Sequence, residues 1–531
     1  MKGGRAFGAR LVAASIIGWV LLGPAAVDAQ SLYYRSIPIG ERAVGLGGAF
    51  TGLATDPSAT YYNPAGVTTG GRFELLGSFS SLLLNRTKIV DAFSAPDVEE
   101  NFVKKGTSTL PRFIGTVVRL GRAKHGQEHQ FALGYSTVEV ARENFGESFT
   151  QITEPSSTDL QVTNRYRDRW YGVSFGAQVS RKSAVGVSVF LSDQNVSYNE
   201  SIGLAVGGEV NPDTGVRTGG QSITTTSTIS ARAYSFVLRL GWLHRINPRW
   251  RVGLMFQPPG IPLSHKGSFF RRSTAASDSG EDAFFPFEVD GVDSRLPIPF
   301  QLVGGFSYNI NKKTLLAVDA GVTGHIRTGQ LLKFDPPTSL TRAGVFYSPS
   351  NGRRAAPNFS VGVEHRFDKL VIAGGLFTNF SAAPNVPETS RQYTPDQVNL
   401  WGASFSIGLD TNGYRFTVGA TGMYGAGDAL GASIDQDGNL LEYERTSARR
   451  SIILLYVAGA IAVAAKTSKA VGEKYDDWKE RRAKEEPLEA EQEGDGAADS
   501  ETDSPETPDA ASTPDSEGGP DASLGVLNVH F

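Results

Sequence analysis

The sequence contains no cysteine in its 531 residues. This absence excludes a disulfide framework, a thiol nucleophile, a cysteine-ligated metal site and a lipid anchor on an N-terminal cysteine. Histidine is scarce as well, because only seven occur and they are scattered along the chain. The residues predict no catalytic group, no metal site and no cofactor, so we expect a protein that is not an enzyme.

Long apolar runs are also rare, and the first one lies at the start of the chain. Lys2, Arg5 and Arg10 precede an apolar run over residues 11–22. That run is shorter than the roughly 20 residues that a membrane-spanning helix needs. Because Val27-Asp28-Ala29 then ends in a small residue suited to cleavage, residues 1–29 are predicted to be a secretory signal peptide.

Basic residues are missing from the C-terminal part of the chain. Between Glu485 and Asp521 there are fourteen Asp or Glu residues and no Lys or Arg. Since the whole chain carries a net charge of −4, the other residues together carry +10. The composition predicts an acidic disordered tail over residues 485–531, preceded by a periplasmic helical segment over residues 466–484.

Between these ends, apolar residues fall at every second position in many short stretches. In residues 359–367, Phe359, Val361 and Val363 alternate with Ser360, Gly362 and Glu364. Residues 171–179 and 401–409 repeat the pattern. Alternation is the period of a β-strand with two different faces, and a soluble sandwich shows it too.

The lengths of the connections distinguish the two architectures. Short connections rich in Asn, Asp, Pro and Gly alternate with long ones. Outer-membrane barrels have this asymmetry, with short periplasmic turns and long extracellular loops. We therefore predict an all-β fold, a 14-stranded antiparallel transmembrane β-barrel over residues 72–465 with both termini periplasmic. The predicted long loops include residues 85–109, 143–163, 201–229 and 261–297.

Two segments compete to close this barrel. The apolar run Ser451–Ala465 reads as the last strand, over residues 449–464, or as a helix too short to span a bilayer comfortably. The last residues, Leu524–Phe531, resemble the C-terminal signal that the barrel-assembly machinery recognises. That octapeptide either closes the barrel instead or serves only as a recognition tag.

The stretch Ile39–Val67 differs from the strands that follow it. Glycines loosen its first half, and Pro57, Pro64 and Gly66 interrupt its second half. Gly45-x-Gly47-Gly48-Ala49-Phe50, Asp56-x-Ser58 and Tyr62-Asn63-Pro64-Ala65-Gly66 resemble the N-terminal hatch of the FadL-type outer-membrane transporter family. The resemblance implies a hatch over residues 30–71 that plugs the barrel.

The resemblance also implies which hatch residues take part in gating. They are Gly45, Gly47, Gly48, Asp56, Asn63, Pro64 and Ala65, since rearrangement of the hatch is proposed to open a route for the ligand in that family. The alternative is that these residues only form tight turns and that Asn63 satisfies buried backbone groups. Asp56 is expected to cap or anchor the plug rather than to perform chemistry.

The predicted long loops carry more aromatic residues than exposed segments usually do. Such clusters either form a capture site for a hydrophobic ligand or fold on one another as a lid. Neighbouring Lys266, Arg271 and Arg272 suit a carboxylate head group or lipopolysaccharide phosphates equally well. The predicted capture residues are Phe145, Phe149, Phe269, Phe270, Arg271, Arg272, Phe284, Phe285 and Phe287.

These observations lead to one functional hypothesis and one alternative. The first is a passive outer-membrane transporter for hydrophobic compounds such as long-chain fatty acids or hydrocarbons. The alternative is a plugged barrel that does not transport and instead anchors partner proteins. The expected partners are hydrophobic small molecules, outer-membrane lipid with lipopolysaccharide, and the barrel-assembly machinery; we expect a monomer that binds no nucleic acid.

Overall fold

The computed structural model describes most of the chain between Tyr33 and Val463. The described residues are 33, 38–95, 98–121, 130–153, 156–210, 213, 217–277, 283–334, 351–390, 395–411, 413–434 and 440–463. The predicted signal peptide, the helical segment 466–484, the acidic tail and the terminal octapeptide all lie outside these residues. Among the described residues, no helix is long and apolar enough to cross a membrane.

Two single-turn helices and twenty strands make up the described fold. The helices are α1 (Arg42–Gly45) and α2 (Ala59–Tyr62), followed by a 3-10 turn at Pro64–Thr68. The strands are β1 (Phe73–Ala95), β2 (Val98–Leu120), β3 (Phe131–Thr153), β4 (Ser156–Gln178), β5 (Ser183–Val206), β6 (Glu209–Val210), β7 (Arg217–Thr218), β8 (Gln221–Arg245), β9 (Trp250–Gln257), β10 (Ile261–Ser277), β11 (Ala283–Ser294), β12 (Gln301–Asn309), β13 (Thr314–Thr323), β14 (Leu332–Lys333), β15 (Ala356–Phe367), β16 (Leu370–Asn379), β17 (Thr389–Ser390), β18 (Gln397–Thr411), β19 (Tyr414–Ile434) and β20 (Leu440–Val463).

The long strands form a closed antiparallel barrel of 14 strands, as the sequence predicts. Two barrel strands are interrupted: β9 and β10 together form the seventh, and β11 and β12 the eighth. The barrel closes where β20 pairs antiparallel with β1, with Phe73 opposite Val463. The strand prediction for residues 449–464 is therefore confirmed as far as Val463, and the helical alternative is wrong there.

The short connections lie together at one end of the barrel, which we call the short-turn end. Asparagine side chains close two of them: Asn247 Oδ1 accepts from the backbone N–H groups of Arg249 and Trp250 at 2.9 and 3.0 Å. Asn311 Oδ1 accepts from Lys313 and Thr314, both at 2.8 Å. These are the local side-chain bonds that make Asn a turn residue.

At the other end, which we call the long-strand end, several predicted loops are wrong. Residues 85–109 belong almost entirely to β1 and β2, which pair as far as Ala95 and Val98. Residues 143–163 and 261–297 are likewise mostly strand. For example, β4 has 23 residues and is about 75 Å long, much longer than the apolar band of about 25 Å on the outside of such barrels. Outside the membrane both faces can be polar, so the apolar alternation that marks a lipid-facing strand is absent there.

The predicted alternation is confirmed where strands face lipid. Along β4, Tyr171, Val173 and Phe175 are exposed outward, while Gly172 and Ser174 are buried inward. The outward-facing apolar positions from 171 to 179 cover about 20 Å along the membrane normal. In β15, Ser360 and Glu364 face inward and are buried. We call the band of outward-facing apolar residues the lipid belt. At its level, the wall of the lumen is therefore polar.

Candidate functional site

Residues 38–72, which we call the inner segment, lie inside the barrel at its short-turn end. Leu46, Phe50 and Val67 are fully buried in one apolar cluster with residues of the wall. The predicted chain-breaking glycines turn the segment here, since Gly47 and Gly48 have φ values of 65° and 84°. These angles favour glycine because it lacks a Cβ atom.

Charged side chains fix α1 to the wall. Arg42 donates from Nε and Nη2 to the two carboxylate oxygens of Glu364, at 2.8 and 2.9 Å. Next to it, Thr417 Oγ1 donates to the Glu41 carboxylate at 2.7 Å, with the Arg415 guanidinium 3.8 Å away. These charged groups are largely removed from water. Each therefore needs the interaction with its partner to compensate for the hydration that it has lost.

Backbone groups of the inner segment also find partners on the wall. Asp319 Oδ2 accepts from the N–H groups of Phe50 and Thr51 at 2.9 and 2.8 Å. Asn63 Nδ2 donates to Thr51 O at 2.9 Å and to Trp242 O at 3.0 Å. Asn63 therefore joins two parts of the inner segment to β8.

Asp56 acts within the inner segment. Its Oδ1 accepts from the Ser58 N–H at 2.8 Å and from Ser58 Oγ at 2.5 Å. These bonds form a tight turn immediately before α2, whose N-cap residue is Ser58. The role of Asp56 as a cap or anchor stays a prediction. Pro64 and Ala65 begin the 3-10 turn that follows, and the Ala65 N–H donates to Asn63 Oδ1 at 3.2 Å.

Glycines on the inward face of the wall let the inner segment approach the strands. A Cβ atom on Gly253 would lie 2.2 Å from Thr51 O, and one on Gly362 would lie 2.5 Å from Leu46 O. Sequence analysis missed these positions. The sequence did contain a signal for them: each is a glycine close to a short turn, at a position that the alternation of the strand marks as inward-facing.

We predict that Gly305→Ala displaces this part of the inner segment. Its Cβ atom would lie 2.1 Å from Asp319 Oδ1, on the carboxylate that holds Phe50 and Thr51. Losing these bonds costs about 1–3 kcal/mol of unfolding free energy, measurable as a lower thermal transition. Gly304→Ala is the matched control, because nothing lies within 4 Å of its Cβ position. Equal stability of the two variants would contradict the assignment.

A cavity of about 70 Å³ lies in the lumen against the inner segment. Tyr61 of α2 contacts Trp170 of β4, with ring centroids 6.0 Å apart. The Arg239 guanidinium lies 3.9 Å from the Tyr61 ring centroid and 5.0 Å from that of Trp170. Tyr33, from the start of the described chain, also lines this cavity and donates to Val398 O at 2.8 Å.

The wall is open between the seventh and eighth barrel strands, a region that we call the seam. The pairing of β9 with β12 ends at Gln257 and Gln301, and the pairing of β10 with β11 begins at Lys266 and Asp293. Between them the described strands share one backbone hydrogen bond, from Gly260 N to Ile298 O at 2.9 Å. Prolines, which have no N–H to donate, explain the missing ladder: Pro258, Pro259, Pro262, Pro297 and Pro299.

A second cavity, of about 470 Å³, occupies the seam. Its edge is apolar at the level of the lipid belt, where Ile261 and Leu263 are 63% and 49% exposed. Above them the lining is polar and mostly basic, with His265, Lys266 and Arg295. Pro297 lines both this cavity and the lumen cavity.

The predicted capture residues are not brought together as a set. Phe269 is buried and packs against Phe287 and Phe334, each with ring centroids 6.0 Å from its own. Phe270 is half-buried, Arg271 is buried and Arg272 is exposed. Phe284 and Phe285 are 59% and 64% exposed near the tip of the β10–β11 hairpin. The side chains of Phe145 and Phe149 lie outside the described residues.

Two short patterns match enzyme motifs without the required context. Gly172–Gly176 reads Gly-x-Ser-x-Gly, but Ser174 lies within β4, where the strand continues to Gln178, and its Oγ is 2.6 Å from Ser188 Oγ. A nucleophile elbow needs a sharp strand-to-helix turn. His125 and His129 are spaced for a metal pair, but they lie outside the described residues. Within the described residues, no cluster of His, Asp and Glu could hold a metal ion.

No family model matches the chain, and no curated protein does so. Among solved structures, a Pseudomonas aeruginosa FadL homologue is 13% identical over 81% of this chain and 99% of its own, with a TM-score of 0.51. The P. putida toluene transporter TodX is 15% identical over 80% of this chain and 99% of its own, also with a TM-score of 0.51. The chain has the FadL-type fold.

This FadL-type fold agrees with the resemblance of residues 45–66 to the FadL hatch, a motif of few residues within a long chain. The barrel strands themselves carry no comparable signature, because alternation is common to all such barrels. The similarity in three dimensions extends over nearly the whole length of both solved structures. The fold was therefore identifiable from the residues that fill the barrel.

Proposed function

We propose that this protein is a passive uptake channel for hydrophobic compounds in a bacterial outer membrane, with the short-turn end in the periplasm. One observation carries the proposal: Pro297 lines both the lumen cavity and the open seam at the level of the lipid belt. A water-filled pore would not need such an opening, because polar solutes pass along the barrel axis. A hydrophobic solute gains from leaving sideways, towards lipid.

The axial route is occupied by the inner segment. Leaving along the axis would require breaking the Arg42–Glu364 pair and the bonds that Asp319 and Asn63 make. Leaving through the seam crosses a stretch where the described strands share a single backbone hydrogen bond. We propose the lateral exit because it disrupts fewer buried polar contacts.

Capture would begin at the long-strand end. Phe269, Phe287 and Phe334 form an apolar cluster there, together with Leu331 and Leu332. The two solved structures of the same fold are named as a FadL homologue and a toluene transporter. The name of the toluene transporter agrees with a hydrophobic ligand, and we propose long-chain fatty acids or hydrocarbons as the substrate class.

A census of co-purifying lipids tests this proposal. The full chain is purified in mild detergent and extracted with organic solvent, and the extract is analysed by mass spectrometry beside an unrelated barrel. The Asn63→Ala, Pro64→Ala variant is purified in parallel, because it loses the bond to Trp242 that holds the inner segment. We expect one hydrophobic class to be enriched severalfold in the wild type and reduced in the variant.

Uptake of the enriched class by cells that carry the protein then separates transport from storage. Absence of enrichment over the unrelated barrel, together with unchanged uptake when the protein is removed, would overturn the channel proposal. That outcome would favour the alternative of a barrel that anchors partner proteins.

A further inference from the structure

Basic side chains form a row around the outside of the barrel, immediately above the lipid belt. The row follows the strand register directly: Arg142 is opposite Arg167, Arg167 opposite Asn195, and Asn195 opposite Arg232. It continues from Arg232 to Lys266 and from Lys266 to Asp293. Neighbouring members are thus about 4.8 Å apart between strands. We call these six residues the basic row, although only four of them are basic: Asn195 is neutral, and Asp293 is acidic and pairs with Lys266 at 2.9 Å.

The row faces outward, as strand parity shows. In β4, Arg167 and Arg169 have the same parity as the lipid-facing Tyr171 and Val173, and the β4–β5 register has no shift. In β8, Arg232 has the same parity as the lipid-facing Phe236. Since successive side chains alternate between faces, these arginines point away from the lumen.

The basic row begins where the lipid belt ends. Tyr171, Leu191 and Phe236 are paired across β4, β5 and β8 and form the upper edge of the belt. One outward position higher, Arg169 stands on β4 and Asp193 on β5. The boundary between the hydrocarbon and the headgroups of the membrane therefore lies immediately below the basic row.

Two carboxylates organise the arginines into triads. Asp193 is 3.6 Å from Arg167 and 3.1 Å from Arg232, and Glu139 is 3.0 Å from Arg169 and 4.0 Å from Arg142. Each triad keeps a net charge of +1 after internal pairing. Each carboxylate is nearly buried, whereas Arg232 and Arg167 are 55% and 38% exposed.

The arginines keep donor capacity towards a ligand. The side chains of Arg167, Arg232 and Arg169 stay 38%, 55% and 29% exposed beside their carboxylates, so part of each guanidinium faces solvent. A guanidinium presents five N–H donors in a fork that suits phosphate oxygens. A carboxylate that already holds two arginines in place reduces the entropy that a ligand must overcome to order them.

We propose that the basic row binds the phosphate groups of a phosphorylated glycolipid, lipopolysaccharide, in the outer leaflet. This rests on the part of the proposed function that places the long-strand end outside the cell. Its ligand is a structural lipid held on the outer wall, so it is separate from any compound that passes through the lumen. The row runs up to the seam, because Lys266 and Asp293 line the wall opening too.

A neutralised triad tests the proposal without leaving a buried charge unpaired. The variant Arg167→Gln, Asp193→Asn, Arg232→Gln lowers the net charge by one. Lys312→Gln, in a turn at the short-turn end, lowers it equally and serves as the control. Both are reconstituted as full chains in phosphatidylcholine nanodiscs and titrated with lipopolysaccharide. We expect the dissociation constant of the triad variant to rise about tenfold or more, and that of the control to stay unchanged.

Two further arms distinguish the sources of phosphate. Lipopolysaccharide treated to remove its phosphates should bind the wild type as weakly as the intact lipid binds the triad variant. Phosphatidylglycerol in place of lipopolysaccharide should not separate the two proteins. Equal affinities of wild type and triad variant for lipopolysaccharide, in folded protein, would overturn the proposal. So would a preference of the row for phosphatidylglycerol.

Hydrocarbon uptake through the triad variant makes failure of this inference distinguishable from failure of the channel proposal. The triad lies outside the lumen, so a working channel should still transport at its usual rate in a membrane that holds the variant. Loss of lipopolysaccharide binding with normal uptake supports both proposals. If the wild type binds lipopolysaccharide but shows no hydrocarbon uptake, only the channel proposal would be overturned.

Discussion

A disulfide across the seam is expected to abolish most uptake. The pair Gly260→Cys, Ile298→Cys places two thiols where the described strands share their one backbone hydrogen bond. A Cβ atom on Gly260 would lie 2.9 Å from Ile298 Cβ, whereas a disulfide joins Cβ atoms about 3.8 Å apart. A small backbone shift therefore suffices, and the absence of native cysteines leaves no competing pairing.

The effect follows from what the ligand must do at the seam. A compound leaving the lumen beside Pro297 has to pass between residues 258–265 and 294–300, and a covalent link holds these stretches together. We expect uptake of the enriched hydrophobic class to fall at least about tenfold under oxidation, equivalent to about 1.4 kcal/mol on the passage barrier. Reduction of the disulfide should restore it.

Single-cysteine variants under the same oxidant are the controls for this experiment. Each changes one side chain of the seam without joining the strands, so uptake should respond to oxidation only in the double variant. Full uptake through the oxidised, cross-linked barrel would show that the ligand does not use the seam. The lateral exit would then be wrong, and a route past the inner segment would have to replace it.

Removing one partner of the Arg42–Glu364 pair is expected to loosen the inner segment. In Glu364→Gln, the Arg42 guanidinium loses its bidentate carboxylate partner, although its side chain is only 16% exposed. Breaking a buried ion pair in this way costs about 3–5 kcal/mol. The barrel ladder does not depend on this pair, so the cost falls on the position of α1.

Single-channel conductance in planar bilayers measures this change. A displaced α1 leaves water in the short-turn end of the lumen, and we expect ion conductance to rise severalfold over the wild type. The double variant Arg42→Met, Glu364→Leu is the matched control, because an apolar pair of similar length requires no partner charge. Its conductance should return towards the wild-type value. Unchanged conductance in Glu364→Gln would mean that α1 is held by its other contacts alone.

The sequence determined the architecture because alternation and turn chemistry are local. The lipid-facing positions of β4 and β15 were assigned correctly, since each outward residue must be apolar whatever its neighbours are. Asn247 and Asn311 marked short turns that they close with their own side chains. The even number of strands favoured residues 449–464 as the closing strand but left the terminal octapeptide as an alternative, and the pairing of β20 with β1 decided between them.

The sequence failed where pairing continues into water. Residues 85–109 and 143–163 were predicted as loops, yet β1–β2 and β3–β4 extend through them. A strand that leaves the membrane keeps its backbone hydrogen bonds but loses the requirement for an apolar face. Composition therefore no longer reveals it.

Only the tertiary structure decided which residues meet. Arg42 and Glu364 lie 322 positions apart, and their pairing depends on where the inner segment sits within the barrel. The five prolines near the seam were visible in the sequence, but they open the wall only because β9–β10 and β11–β12 lie side by side. The basic row likewise arises from register, which places arginines from separate strands on one level of the outer wall. Contacts of this kind are long-range, and no local pattern encodes them.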